Sequence, residues 1–196
     1  MYFKRIFDFS LAFILLPLVV VIAMIVSIFI FFFDKGPVFY NAKRLGRNGV
    51  PFTMYKFRTM VVDAPDIRLP DGSTFNSDDD PRLTKLGKFL RSTSIDELPQ
   101  IFNILIGEMS FIGPRPDPID WLDKYTPEER IFLNVRPGLT GYNQAFFRNS
   151  VDGKTKLRND IYYAMNISFL LDLKIFIKTL RAVVFRENIN KKIESN

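Results

Sequence analysis

Histidine and cysteine are both absent from the 196 residues. Their absence excludes Ser-His-Asp and Cys-His catalysis, thiol redox chemistry, disulfides, and zinc or haem sites built on His or Cys. Any chemistry belongs to carboxylates, hydroxyls, amines and guanidiniums. Charge is missing from the 25 positions Phe9 to Phe33, and acidic residues are missing from Lys35 through Val62. Against these gaps stand 27 Lys and Arg and 21 Asp and Glu, a net charge of +6 that favours anionic partners: phosphates, nucleic acid or an acidic membrane surface.

The uncharged run is long enough to cross a hydrocarbon core, since 25 residues at ~1.5 Å each reach about 37 Å. A buried soluble helix would need more chain than this to cover Val19 to Ile22 and Phe29 to Phe33 on every side. A cleaved signal peptide fits poorly, because the run exceeds an h-region of about 7 to 15 residues and no small-residue cleavage site follows. Pro17 inside the run removes a backbone donor and predicts a kink. Lys4 and Arg5 precede the run, while Lys35, Lys43, Arg44 and Arg47 follow it, so both ends favour the cytoplasm. Re-entry through the same face and a single span both remain open on the residues alone.

Beyond Gly36-Pro37, two strand candidates flank the turn signals Gly46, Asn48, Gly49 and Pro51, which predicts a small hairpin. Lys56 and Arg58 alternate onto one face of its second strand and form a candidate diphosphate grip. Asp63 to Asp80 reads as a surface loop, and Asp78-Asp79-Asp80 as a solvated turn rather than a metal cluster, because consecutive side chains cannot all face one ion. Leu83, Leu86, Phe89 and Leu90 predict an amphipathic helix ending near Ser92. Leu170, Leu173, Ile177, Leu180 and Val184 predict another, with Lys174, Lys178 and Arg181 on a second face. That helix either packs on the domain or rests at a membrane interface.

The chemically informative stretch is Ser94 to Leu105. Ser94 and Glu97 fit a capping box, but Pro99 would then fall at the fifth helical position. With Asp96 as the cap, Pro99 enters the first turn and Asp96 and Glu97 stand at a helix start. A carboxylate there can attack phosphorus to give an acyl phosphate. Gly113-Pro114-Arg115-Pro116 and Arg136-Pro137-Gly138-Leu139-Thr140-Gly141 follow, rigid turns that each present an arginine.

Taken in order, Lys4-Arg5-x-x-Asp8, Gly36-Pro37-Val38-Phe39, Arg44-x-Gly46, Tyr55-Lys56-Phe57-Arg58-Thr59-Met60, Asp80-Pro81-Arg82-Leu83-Thr84, Leu90-Arg91, Asp96-Glu97-Leu98-Pro99-Gln100, the two arginine turns, and Tyr162-Tyr163 through Asp172-x-Lys174-Ile175 carry a specific likeness. The chain resembles, over nearly its whole length, the bacterial sugar transferases known as small monotopic phosphoglycosyl transferases, which include the enzyme of the Campylobacter N-glycosylation pathway. The resemblance implies an α+β, mainly helical fold: a re-entrant membrane helix over 1–35 kinked at Pro17, a cytoplasmic catalytic domain over 36–187 with amphipathic interfacial helices, and a polar tail over 188–196. It implies transfer of a sugar-1-phosphate from a UDP-sugar to polyprenol phosphate at the cytoplasmic face of the inner membrane, with Mg²⁺ and release of UMP. Nucleic acid is not an expected partner; inner-membrane lipids are.

The roles implied are Asp96 as nucleophile and metal ligand, Glu97 as a ligand-orienting or proton-relaying partner, and Lys56, Arg58, Arg91, Arg115 and Arg136 as phosphate-binding cations. The chain departs from the family pattern at Leu16, where a Ser usually precedes Pro17, at Ala42, where a Gln is usual, and at Phe147, where a Gly often precedes the pair Arg148-Asn149.

Overall fold

The computed structural model describes residues 2–68, 75, 77, 79–147 and 151–184. Asp78, the pair Arg148-Asn149 and everything from residue 185 onward, including the polar tail, lie outside them. The architecture is α+β and mostly helical.

The apolar run forms α1, Tyr2–Phe29, which continues through Pro17 into a π-helical turn at Ile30–Asp34. Helical structure persists there because a proline removes one donor and leaves the neighbouring turns to hold the rest. Asp8, Ala12, Val19, Val26 and Ile30 are buried along one stripe, at spacings of four and seven that recur on one helix face. The remaining surface of α1 is exposed phenylalanine, isoleucine, leucine and valine, and only 17 % of its most apolar 18-residue stretch is buried. A soluble core helix does not leave that much apolar surface in water, so α1 is the protein's membrane-associated element.

The domain is tied to both ends of this segment. Near its start, Lys4 Nζ donates to Asp172 at 2.6 Å, and Arg5 donates to the carbonyls of Ile104 and Leu105. Near its end, Thr84 Oγ1 donates to Asp34 at 2.7 Å.

The predicted hairpin is present: β1 (Phe39–Leu45) pairs antiparallel with β2 (Pro51–Phe57), with Tyr40 opposite Lys56 and Arg44 opposite Phe52. A second, parallel pair joins β3 (Ser110–Ile112) to β4 (Gly138–Thr140). It brings the two arginine turns together so closely that a Cβ on Gly138 would lie 2.1 Å from the Gly113 nitrogen. The remaining helices are α2 (Lys85–Ser92), α3 (Gln100–Ile106), α4 (Tyr142–Phe146), α5 (Gly153–Met165) and α6 (Phe169–Val184).

Both predicted amphipathic helices exist, and both turn part of their apolar face outward. In α2, Leu90 is buried while Phe89 is 55 % exposed. In α6 the buried side chains include Ile175 and Ala182, whereas Leu170, Leu173, Ile177 and Leu180 are exposed. These four residues face away from the domain, while α6 packs on it through Ile175 and Leu171.

Gly87 fixes α2 against the end of β2. A Cβ at this position would lie 1.8 Å from the Thr59 carbonyl oxygen, a backbone atom that cannot swing aside. Gly87→Ala should destabilise the protein by on the order of 1–3 kcal/mol through forced backbone shift, lowering the melting temperature by several degrees. Gly153→Ala, where the added carbon meets nothing within 4 Å, is the matched control and should not lower it. Thermal melts of the two variants in detergent measure the difference.

Candidate active site

Asp96 and Glu97 lie in a 3₁₀ turn, Ile95–Glu97, one turn ahead of α3. Ser94 adopts a left-handed conformation (φ 59°) and its side chain caps nothing, so the capping box is not formed. Asp96 is not the cap of α3 either: Pro99 occupies that position, where its missing donor costs little. Asn103 of α3 then locks this segment to β2. It accepts from the Tyr55 amide at 3.1 Å and donates to the Thr53 carbonyl at 2.7 Å and to Glu108 at 2.7 Å. The turn carrying Asp96 is thereby placed next to Lys56.

Glu97 is clamped. Its Oε1 accepts from Lys56 Nζ at 2.7 Å and from Arg115 Nη2 at 2.8 Å. Burial works against its ionisation, but Arg115 and Lys56 outweigh burial and hold the carboxyl well below the usual carboxylate range. Because the folded value is depressed, the clamp supports the fold at neutral pH and that support is lost as pH falls below the ordinary Glu range of about 4.3.

Asp96 is the opposite case. Its side chain has no hydrogen-bond donor among the described residues, and it is 7 % exposed. Burial pushes its carboxyl up, Lys56 pulls it down, and the Glu97 charge pushes it up again. Two adjacent carboxylates are thus separated in role by environment: one is locked by two cations, the other is desolvated and unengaged. The second is the better nucleophile.

Of the five predicted cations, three meet here. Lys56 and Arg115 bind Glu97, and Arg115 stays 44 % exposed on its Pro-Gly turn. Arg91 on α2 donates to Thr59 Oγ1 at 3.0 Å and feels the charges of Asp96 and Arg115.

The other two are held elsewhere. Arg58 donates from Nε to Pro37 O at 2.6 Å, from Nη1 to Met60 O at 3.2 Å and from Nη2 to Lys35 O at 2.7 Å, and is buried. It pins the exit of the membrane helix to the end of β2, so the shared strand face with Lys56 does not make a diphosphate grip. Arg136 donates from Nε to Gly107 O at 2.7 Å and lies in a small indentation with Lys4, Asp8, Ser110 and Tyr163, among the charges of Arg5 and Arg47. The structure does not bring it to Asp96.

The acidic loop behaves as a structural turn in its described part. Asp80 is buried and accepts from Arg82 Nη2 at 2.6 Å, while Asp79 is exposed. Among the described residues no group of three metal-ligating side chains occurs. Asp96, with its free carboxylate beside an engaged one, still fits Mg²⁺, which commonly takes one or two carboxylates and completes its shell with substrate oxygens and water.

Residues without a predicted role also build the site. Asp117, two positions after Arg115, accepts from Lys156 Nζ at 2.9 Å on both oxygens and from the Tyr125 hydroxyl at 2.9 Å. Lys156 also pairs with buried Asp160 at 3.1 Å, fastening the Arg115 turn to α5. The sequence signal for this was an i, i+4 Lys-Asp pair, common on any solvated helix.

The fold and site together define a membrane-associated domain that offers one unengaged carboxylate among cations, a centre suited to phosphoryl chemistry without histidine. The chain belongs to the bacterial sugar transferase family, whose model matches residues 1–186. It is 41 % identical to the sugar transferase EpsL of Bacillus subtilis, over 97 % of this chain and 92 % of that one. It is 39 % identical to the undecaprenyl-phosphate galactose phosphotransferase of Salmonella typhimurium over 79 % of this chain, and spans 35 % of that protein. A UDP-N-acetylgalactosamine-undecaprenyl-phosphate N-acetylgalactosaminephosphotransferase of Aeromonas hydrophila is 35 % identical, with 93 % of this chain covering 44 % of it. The chain therefore covers most of the length of some relatives and less than half of others.

The opposed environments of the two carboxylates predict their titration. Asp96 should lose its proton above the usual Asp value of about 3.9. Glu97→Gln removes a like charge and should move that titration to lower pH, whereas Lys56→Met removes an opposite charge and should move it higher. The carboxyl-carbon shift of Asp96 in ¹³C-labelled protein, followed against pH, reports both directions.

Proposed function

We propose that this transferase moves a sugar-1-phosphate from a UDP-sugar to polyprenol phosphate through a covalent intermediate on Asp96. The observation that carries the reading is the unengaged, desolvated Asp96 carboxylate set beside Glu97, which two cations hold in place. The relatives from Salmonella and Aeromonas bear the names of undecaprenyl-phosphate sugar phosphotransferases, which supports the same reaction class here.

An Asp96 oxygen attacks the sugar-bearing phosphorus, the bond from that phosphorus to the bridging oxygen breaks, and UMP leaves with the electron pair. The lipid phosphate oxygen then attacks the same phosphorus and Asp96 departs as a carboxylate, giving polyprenol-diphosphate-sugar. No histidine is needed, because neither attacking oxygen has to lose a proton. Lys56, Arg91 and Arg115 offset the charge of two anionic substrates. Glu97 holds Lys56 and Arg115 in orientation, so of its two expected roles this geometry favours orienting over proton relay. Asp96 is the residue that would hold Mg²⁺, and the ion when bound supplies charge neutralisation at the diphosphate.

The same reading places the protein on the cytoplasmic face of the inner membrane with α1 re-entrant. A straight helix over the 33 residues Tyr2–Asp34 would extend ~50 Å, yet Lys4 and Asp34 both bind the one domain. A perpendicular single span would put one of those contacts across a hydrocarbon core of about 30 Å. A segment bent at Pro17 that leaves by its entry face keeps both contacts in water, and the exposed faces of α6 and Phe89 then rest at the interface.

Two measurements test these statements. Donor alone should add the mass of a phosphosugar to the intact protein. Asp96→Asn should abolish that adduct and turnover, while Glu97→Gln should slow formation by roughly 10²-fold or more and still permit it; an adduct on Asp96→Asn excludes Asp96 as nucleophile. For topology, cysteines introduced by Tyr2→Cys and Asn41→Cys should both label from the cytoplasmic side, with no native cysteine to interfere. Labelling of the first from the periplasm alone excludes re-entry.

A further inference from the structure

The inner face of the hairpin changes character at its end nearest the dyad. Residues that share a strand face recur at every second position, so Tyr40 and Ala42 of β1 lie on the same side as Phe52, Met54 and Lys56 of β2. Ala42, Phe52 and Met54 are buried there, in one cluster with Ile101 and Ile104 of α3 and Ala12 and Val19 of α1. One step further along, the cover stops. Tyr40 is 58 % exposed, and among the described residues its ring stacks on no other ring and its hydroxyl has no hydrogen-bond partner.

The residue opposite Tyr40 is Lys56. Backbone bonds of the same parity, from the Arg58 amide to Val38 O at 2.9 Å and from the Gly46 amide to Val50 O at 2.9 Å, make Tyr40 and Lys56 a hydrogen-bonded pair. In such a pair the Cα atoms stand about 5.5 Å apart and both side chains rise from one face. Lys56 Nζ reaches Glu97 at 2.7 Å, and Glu97 adjoins Asp96. The open ring therefore stands beside the cation that orients the dyad. A single exposed ring is ordinary on a protein surface. This one is left open on a face that is otherwise packed, at the end where a substrate phosphate meets Asp96.

We infer that Tyr40 is the platform on which the sugar ring of the UDP-sugar lies, and so a specificity-determining residue for the transfer proposed above, on which the inference rests. Lys56 serves the phosphate that Asp96 attacks, and the group joined directly to that phosphorus is the sugar. The uracil is separated from it by a second phosphate and a ribose, and the prenyl chain by the acceptor's own phosphate, so neither is the nearest neighbour of a ring beside Lys56. The chemistry matches. A hexose carries C–H bonds polarised by the oxygens on the same carbons, and the face of an aromatic ring carries the complementary negative charge. The Tyr40 hydroxyl, at the tip of the ring, can donate to or accept from the hydroxyls of the sugar.

The test uses the full chain in lipid nanodiscs with Asp96→Asn as background, so that binding is not followed by chemistry. Calorimetry compares a panel of UDP-hexoses and UDP-N-acetylhexosamines with UDP, which has the base and the diphosphate but no sugar. Tyr40→Ala should weaken the UDP-sugars by roughly fivefold or more and leave UDP within about twofold. Tyr40→Phe should keep most of the sugar affinity, whereas Tyr40→Leu should behave as Tyr40→Ala, because bulk without a ring is not enough. Asn41→Ala, on the opposite face of the same strand, should change neither ligand. An equal loss of UDP-sugar and UDP in Tyr40→Ala would put the ring under the uracil and overturns the assignment. So does unchanged UDP-sugar binding, a Tyr40→Leu variant that binds like its background, or a background that binds no UDP-sugar. Formation of the phosphosugar adduct by the protein with Asp96 intact is scored separately. If no adduct forms but UDP-sugar binding depends on Tyr40, the proposed reaction fails and the platform stands. If the adduct forms and sugar binding is indifferent to Tyr40, the platform fails and the reaction stands.

Discussion

The centre depends on a single carboxylate that two cations hold from different parts of the chain. Lys56 comes from a hairpin strand and Arg115 from a Pro-Gly turn, and both converge on the same oxygen of Glu97. The hairpin and the turn are also joined through backbone, by the Leu45 amide on the Asp117 carbonyl and the Arg44–Pro118 bridge, and Glu97 aligns the two side chains. Without Glu97 the two cations would repel, and Asp96 would be left among uncompensated positive charge. With it, the cations are oriented and the neighbouring Asp96 remains unpaired. Asn103 fixes the same geometry from below through three bonds to β2 and to Glu108, so the dyad sits on rigid backbone rather than on a mobile loop.

The membrane segment enters this arrangement by touching the same elements. Arg5 caps the carbonyls at the end of α3, the helix that follows the dyad. At the other end Asp34 meets Thr84, the N-cap of α2, whose hydroxyl also accepts from the Gly87 amide at 2.8 Å. The two helices that flank Asp96 in sequence are each tied to one end of α1. The position of the dyad is therefore mechanically linked to α1, the membrane-associated helix.

Much of this was legible in the residues, for reasons that can be stated one by one. The hairpin showed as strand alternation between turn signals, and α2 and α6 showed as helical periodicity, because period is a local property. Direction is not local. The stripe of α6 identified the helix but not the medium it meets, and its leucines face outward where a core was the ordinary expectation. Lys56 and Arg58 carried the same alternation signal, yet only Lys56 reaches the dyad; the carbonyls that claim Arg58 come from Lys35, Pro37 and Met60, a chain reversal with no side-chain signature. Arg136 shared a rigid-turn motif with Arg115 and was led elsewhere by the parallel pairing of two three-residue strands too short to show a period. Tyr40 was visible as a strand residue, but its open ring beside Lys56 is a property of the folded state alone.

The partners of the other arginines explain how so much positive charge is accommodated. Arg5, Arg58 and Arg136 donate to backbone carbonyls rather than to carboxylates. A carbonyl satisfies a guanidinium's hydrogen bonds without cancelling its charge, whereas a carboxylate does both. These three residues are therefore immobilised and still fully cationic, and they add to a field that attracts anions toward the domain. Lys56 and Arg115 share the Glu97 carboxylate, and with Arg91 they set three cations around the two carboxylates of Asp96 and Glu97. Structural arginines thus add to the long-range attraction for anions, while Lys56 and Arg115 hold the dyad in place, so that a chain with a net charge of +6 keeps Asp96 among cations.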